Sequence, residues 1–458
     1  MIGIRRILVA NRGEIAVRVV RTCRRLGIET VLAVSSADRG TRAAQLADRV
    51  ICIGGPRPSQ SYLNAAALIT AACGTGCDGV HPGYGFLAEN AEFARLCRDN
   101  GLTFIGPTPE AIDAMGNKVA AREIARQAGV PIVPGSDAVH DVSELLALGD
   151  EVGYPLLIKA SAGGGGRGMR LVHGPDEAED AFSGARAEAR DFFGDPSLYV
   201  ERFVDRARHV EVQLLGDGQG NVLDLGERDC TLQRRYQKVI EESPCPVIDA
   251  ALRAELTRAA RLLGAAISYR SAGTVEFILD PVRRSFFFLE MNTRIQVEHP
   301  VSEMVTRVDI VEQQIRVARG EPLSFASSIS PLGHALECRI NAEAPERGFL
   351  PSPGRITLFE APPEDENLRI DTHCFTGYEV PPFYDSLLAK VIVWAPTRRE
   401  ALDRMRRALG EIRVEGVQTN IALLEAILAN SAFQAAEIHT KWLEESFMPG
   451  YAGRQRLA

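Results

Sequence analysis

Thr274-Val-Glu-Phe-Ile-Leu279 and Phe286-Phe-Phe-Leu-Glu-Met-Asn-Thr-Arg-Ile-Gln-Val-Glu-His-Pro300 are separated only by residues 280–285. The first run and the start of the second are rich in β-branched and aromatic residues, so they read as neighbouring antiparallel strands. Glu276 then falls opposite Glu290, within a register step. Two carboxylates in such apolar strands repel each other unless a cation lies between them. A divalent ion bridging them to a nucleotide phosphate resolves that conflict, and oxygen ligands suit magnesium. One buried salt bridge beside one exposed acid is the plainer alternative.

From Glu290 onward every even position is polar: Glu290, Asn292, Arg294, Gln296 and Glu298. Met291, Ile295 and Val297 between them are apolar. If the chain stays extended to 298, one face carries acid, amide, guanidinium, amide and acid in a row. A solvated sheet face also alternates, but seldom gathers such a set beside a second acidic strand. Glu276, Glu290 and Asn292 can hold magnesium and polarise phosphates. Arg294 is permanently charged and can stabilise an oxyanion. Glu298 is placed to act as a general base on an incoming acid.

Working outward, Ala162-Gly-Gly-Gly-Gly-Arg-Gly168 lies between two strand candidates, 155–160 and 169–172, so it reads as a hairpin loop. A P-loop or a dinucleotide turn would open a helix instead. Bare glycine backbone can approach an anion while the loop stays mobile, as a nucleotide flap requires. A flexible surface hairpin is the bland alternative. Lys159 ends the strand entering this loop and Lys118 opens an earlier helical segment, both suited to phosphate oxygens. Between loop and acidic strands lies Gln233-Arg-Arg-Tyr-Gln-Lys-Val-Ile-Glu-Glu242. It reads as a solvated charge run in which Lys238 is a candidate anion holder.

The bulk properties narrow the setting. The chain has 458 residues, 45% hydrophobic and 24% charged, which is long enough for two to four domains. A net charge of -8 gives no general field for nucleic acid or an anionic membrane. No apolar run reaches the roughly 18 residues of a membrane span. Residues 4–10 read as a first strand and not as a signal peptide, because Arg5 and Arg6 interrupt them. The nine cysteines are an odd number, without a His cluster or zinc spacing, and read as reduced thiols of a cytoplasmic protein.

Apolar positions at 15, 16, 19, 20, 23 and 26 follow at helical spacing, with Gly27 as a stop and a second strand at 30–34. This β-α-β start predicts a parallel sheet covered by helices. A dense turn at 81–90 carries Tyr84 and Glu89. Residues 134–205 form a compact α/β insert, with strands at 155–160, 169–172 and 198–203. Strands return at 210–215 and 222–225. A third unit begins near 332, with strands at 335–340 and 387–394 and helices at 398–411 and 420–430.

These residues resemble the biotin carboxylase family of the ATP-grasp superfamily. The matching stretches are Ala10–Ile15, His81–Asn90, Lys159–Met169, Arg208–Glu211, Glu227–Cys230, Glu290–Pro300, Glu337–Glu343 and Leu350–Gly354, in family order along nearly the whole chain. The resemblance implies an α/β and α+β fold in three parts. These are an N-terminal parallel-sheet domain over 1–117, an ATP-grasp core over 118–331 with a mobile lid at about 134–205, and a C-terminal α/β domain over 332–458. It implies that magnesium- or manganese-ATP and bicarbonate form carboxyphosphate, from which N1 of biotin is carboxylated.

By the same resemblance Lys118, Lys159, Gly165, Gly166 and His209 look like ATP phosphate contacts. Glu201, Arg202, Phe203, Val204 and Ile438 look like the adenine region, and Gln233 matches a nucleotide-side contact. Glu276, Glu290 and Asn292 look like metal ligands; Lys238, Arg294, Gln296 and Val297 look like the bicarbonate pocket. Glu298 looks like the base, and Arg294 also looks like a stabiliser of the biotin enolate. Arg339 and Tyr84 are similar to residues at the biotin end. Tyr236 stands where the best-known members have histidine; a phenol still hydrogen-bonds but cannot become cationic. No Ala-Met-Lys-Met biotinylation motif is present. The expectation is a homodimeric subunit acting on a separate biotin carboxyl carrier protein, with a separate carboxyltransferase choosing the final acceptor. Two alternatives stand beside this: a different ATP-grasp ligase, sharing the flap and paired acids but not Arg294 to His299, and an inactive regulatory paralogue.

Overall fold

In the computed structural model, residues 3–161 and 169–455 are described. The N-terminal sheet is parallel, with strands β1 (Arg6–Val9), β2 (Glu29–Ser35), β3 (Arg49–Gly54), β4 (Gly79–His81) and β5 (Thr103–Phe104) in the order β3-β2-β1-β4-β5. Ile7, Leu8 and Val9 are fully buried because helices cover both faces. Helix Gly13–Arg25 buries Ile15, Ala16, Val19, Val20 and Cys23, the face its apolar spacing specifies.

Next comes a small four-stranded sheet of β6 (Gly135–Val139), β7 (Leu156–Ala160), β8 (Met169–Val172) and β9 (Leu198–Arg202), ordered β6-β9-β7-β8. Helices Val142–Val152 and Ala178–Phe193 close it over a core that includes Leu145, Ile158, Phe182 and Val200. β7 and β8 pair antiparallel, Leu156 with Val172, so the glycine run between them joins a hairpin. Residues 162–168 themselves, with Gly165 and Gly166, lie outside the described residues.

The central sheet has eight strands. They are β10 (Arg208–Asp217), β11 (Val222–Arg234), β12 (Gln237–Ser243), β13 (Arg270–Asp280), β14 (Ser285–Asn292), β15 (His334–Asn341), β16 (Leu368–Thr372) and β17 (Leu387–Ala395). Their order is β14-β13-β10-β11-β12-β15-β17-β16. The strands beyond residue 332 therefore extend this sheet. Helix Ala250–Ala266 packs on one end, helices Arg398–Gly410 and Ile421–Leu428 on the other. No helix among the described residues is long and apolar enough to cross a membrane.

Two local expectations are corrected. Residues 237–243 are a strand, not a solvated charge run: β11 and β12 form a hairpin turning at Arg235 and Tyr236. Both turn residues have positive φ, 45° and 65°, a geometry usually marked by Asn-Gly, so the turn carries no ordinary signal. The alternating strand face also stops early. β14 ends at Asn292, residues 293–298 turn, and Glu298 caps helix His299–Thr306. Pro300 in the first helical turn favours that start, and Glu89 accepts the Thr293 N–H at 3.0 Å, which fixes the bend.

Buried ion pairs join the C-terminal strands and helices to the rest. Glu242 on β12 meets His334 at 2.7 Å and the Arg398 guanidinium at 2.6 Å and 3.1 Å. Arg208 on β10 bonds Asp229 and donates to the carbonyls of Ala436 and Ile438, both at 2.8 Å. Burial alone would raise the Glu242 carboxyl, but His334 and Arg398 overcome it and hold it at about 2. A depressed carboxyl contributes stability above its unfolded value, which is lost as pH falls toward the folded one. Glu242→Gln is therefore expected to lower stability at neutral pH and weaken the loss between about pH 5 and 3. Urea midpoints across that range check this; an unchanged acid slope would contradict it.

Candidate active site

The site is built where four central strands and one helix N-terminus converge. β10 and β13 pair so that Glu211 faces Glu276, and β13 and β14 pair so that Glu276 faces Glu290. Helix His299–Thr306 sets its first residues against the same sheet face and places Glu298 at the centre. From β12, Lys238 reaches in. Its Nζ lies 2.5 Å from Glu211, 2.9 Å from Glu276 and 2.6 Å from Glu298. Three buried carboxylates thus share one half-buried ammonium. Burial disfavours its charge, but the three acids outweigh this and hold Lys238 well above the ordinary lysine value.

Each acid has further partners. Glu276 Oε1 also accepts from Asn292 and Gln296, both at 2.9 Å, and its Oε2 lies 3.0 Å from His209 Nε2. Glu298 Oε2 accepts from Arg339 at 2.9 Å, and Arg339 also contacts Glu241 at 2.5 Å. Burial would push the Glu298 carboxyl up, yet Lys238, Arg339 and Arg228 hold it well below the usual carboxylate range. Arg294 donates to Glu89 at 2.8 Å and to Asn292 at 2.9 Å. Lys238, His209, Glu276, Asn292, Arg294, Gln296, Glu298 and Arg339 thus form one connected cluster.

The other candidates are spread around it. Glu290 is half-buried; burial and the negative Glu276 opposite it raise its carboxyl, while Lys118 lowers it. Lys118 is exposed at the start of helix Lys118–Gln127. Lys159 and Arg122 both pair with Glu201 in the small sheet. Arg202 lies over the Phe287 ring, Lys441 over Phe203, and Val204 is buried. Ile438 is tied by its carbonyl to Arg208. Gln233 is buried next to the β11–β12 turn, whereas Tyr236 at its tip is 67% exposed. Tyr84 donates to Glu14 at 2.5 Å, and Val297 accepts from Lys390 through its carbonyl at 2.7 Å.

The acids bear on cation binding. His209, Glu211 and Glu276 offer ligand atoms within 4.8 Å of one another, but Lys238 already neutralises that corner. Burial first, and then the facing Glu276, raise the Glu290 carboxyl, so a cation between the two acids would favour its ionised form. Oxygen donors from Glu276, Glu290 and Asn292 fit a magnesium ion there.

Sequence reasoning assigned no role to Glu211, Arg228 or Glu241. Arg228 is wholly buried and bonds Glu211, Gln213, Ser302, Thr274 and Gln296. Its signal was a charged residue within a continuously buried strand, visible only once β11 is known to lie at mid-sheet.

Three family matches cover the chain in order. Residues 3–112 match "Biotin carboxylase, N-terminal domain", 117–326 match "Carbamoyl-phosphate synthase L chain, ATP binding domain", and 337–445 match "Biotin carboxylase C-terminal domain". A biotin carboxylase of Pseudomonas aeruginosa is 51% identical over 443 residues, 96% of this chain and 98% of that one. This chain belongs to the biotin carboxylase family. Among solved structures, a biotin carboxylase–β,γ-ATP complex from Campylobacter jejuni superposes with a TM-score of 0.90 at 44% identity, covering 96% and 99% of the two chains. The biotin carboxylase domain dimer of Hydrogenobacter thermophilus 2-oxoglutarate carboxylase superposes at 0.88 and 46%, covering 96% and 97%; it holds MgADP, ADP and bicarbonate.

The shared ammonium makes a testable electrostatic statement about this biotin carboxylase fold. In Lys238→Met, Glu211, Glu276 and Glu298 face one another without it, so their carboxyls rise and the folded state binds protons more tightly than the unfolded chain. Stability of the variant is then expected to grow on acidification from about pH 8 to 6, opposite to the trend of a depressed carboxyl. Denaturation midpoints at the two pH values test this, and a pH-independent loss would refute it.

Proposed function

We propose that the protein catalyses the ATP- and bicarbonate-dependent carboxylation of biotin carried on a separate biotin carboxyl carrier protein. The observation that carries this reading is Glu298, a buried carboxylate held between Lys238 and Arg339 at the N-terminus of helix His299–Thr306. The three-part division at 117/118 and 331/332, with residues 134–205 as a lid, is part of the same reading. So are the role assignments that follow.

Lys118, Lys159, Gly165, Gly166 and His209 hold the ATP phosphates, and Glu201 to Val204, Gln233, Tyr236 and Ile438 surround the nucleoside. Glu276, Glu290 and Asn292 hold magnesium, which neutralises phosphate charge when bound. Lys238, Arg294, Gln296 and Val297 take bicarbonate. Glu298 removes the bicarbonate hydroxyl proton, and the freed oxygen attacks the γ-phosphorus as the bond to ADP breaks. The carboxyphosphate so formed splits into carbon dioxide and phosphate. Phosphate takes the N1 proton of biotin, and N1 attacks carbon dioxide. Arg339, Arg294 and Tyr84 hold biotin, with Arg294 opposing the enolate charge.

The low proton affinity of Glu298 needs explanation in a base. Lys238, Arg339 and Arg228 depress it by stabilising its charged form against the effect of burial. A bicarbonate ion among Lys238 and Arg294 shares their positive charge and raises the affinity of Glu298 for a proton when the proton is due. Free thiols at all nine cysteines support a reducing, cytoplasmic setting. The dimeric Hydrogenobacter neighbour supports a homodimer. A carrier protein and a carboxyltransferase complete the system, and the choice of acyl-CoA or other acceptor belongs to the carboxyltransferase.

The purified protein is expected to release ADP only with bicarbonate present, and faster with free biotin. Glu298→Gln should cut that release by about a hundredfold or more while ATP binding stays near normal. Near-normal turnover in the variant would remove Glu298 from the role of base. Bicarbonate-independent ATP cleavage by the parent protein would instead favour a different ATP-grasp ligase.

A further inference from the structure

Lys390 lies on β17, opposite Arg339 on β15, and has no solvent exposure. Its ammonium sits 3.1 Å from Glu14 and 3.6 Å from Asp371, and donates at 2.7 Å to the carbonyl of Val297. A buried ammonium is costly, and an apolar side chain of similar volume would avoid the cost. A charge kept there calls for a reason in what it holds. Glu14 and Asp371 come from the N-terminal helix and from β16, so two separate elements converge to balance it. Burial would strip its proton, but Glu14, Glu337 and Asp371 keep it charged.

Val297 belongs to the turn that carries Gln296 and Glu298 into the cluster. A trans peptide is planar, so the Val297 carbonyl and the Glu298 N–H point in opposite directions. Gripping the carbonyl from the Lys390 side therefore turns that N–H to the other side. The backbone N–H groups of Gln296, Val297 and Glu298 donate to no acceptor among the described residues. Consecutive free N–H groups in a turn make an anion cradle. Tyr84 is tied to the same group, because its hydroxyl donates to the Glu14 oxygen that Lys390 contacts.

We infer that Lys390 is a positioning residue: it grips the Val297 carbonyl from behind the cluster and so aims the 296–298 turn at bicarbonate. This rests on reading that turn as the bicarbonate end. Lys390 touches no reacting atom in this arrangement; it acts through the backbone.

The test compares apparent KM values for bicarbonate and for ATP in the full-length protein. Lys390→Met is expected to raise the bicarbonate KM by about tenfold or more and to leave the ATP KM within about twofold. Ethylammonium added to Lys390→Ala should recover part of the bicarbonate KM, because it restores a cation at the vacated position. An unchanged bicarbonate KM, or equal rises in both constants, would overturn the inference. Should Lys390→Met not fold, Glu14→Gln decides. It leaves Asp371 beside the ammonium and should show the same split, more weakly; no split would overturn the inference. Absence of bicarbonate-dependent ATP cleavage in the parent protein would overturn the functional reading and this inference with it, a result the parent alone reveals.

Discussion

One ammonium and three carboxylates organise this molecule. Lys238 touches Glu211, Glu276 and Glu298, which come from β10, from β13 and from a helix N-terminus. Buried acids so close together cannot all remain ionised without a cation, and a buried cation without acids would lose its proton. Neither set is stable alone, so the strands that carry them must pair in the register observed. A one-residue slip would turn every one of these side chains to the opposite face. The chemistry and the sheet register are therefore the same constraint.

The same principle recurs farther out. Arg228 sits behind Glu211 and ties three strands to Gln296 and Ser302. Arg339 links Glu298 to Glu241, and Lys390 links the Val297 carbonyl to Glu14 of the N-terminal helix. These contacts connect the cluster to the N-terminal helix and to the C-terminal strands. Because the charge on Glu298 is set by Lys238, Arg339 and Arg228, a change in local charge alters its proton affinity.

Much of this was legible in the residues. The pairing of Glu276 with Glu290 followed from two apolar runs and a short connection. The β-α-β start followed from helical spacing between strand-like runs. Two features were misread for definable reasons. The Arg235-Tyr236 turn uses positive φ without glycine or asparagine, so the strand after it looked like surface charge. The alternation from Glu290 to Glu298 suggested a straight strand, whereas Glu89, more than 200 residues away, bends the chain after Asn292.

By itself the sequence determined which residue types do the work, and in what order: paired acids in apolar strands, then an amide, an arginine and a final acid. That was possible because local periodicity and the chemistry of side chains are properties of short segments. Only the tertiary structure decided which partners neutralise them. Glu211, Arg228, Glu241, Glu14 and Lys390 reach the site from strands and helices far apart in the chain, and their charges make sense only where the sheet brings them within about 3 Å of one another. The Glu290–Glu298 stretch supplies the candidate groups; the folded surroundings set their charge and direction.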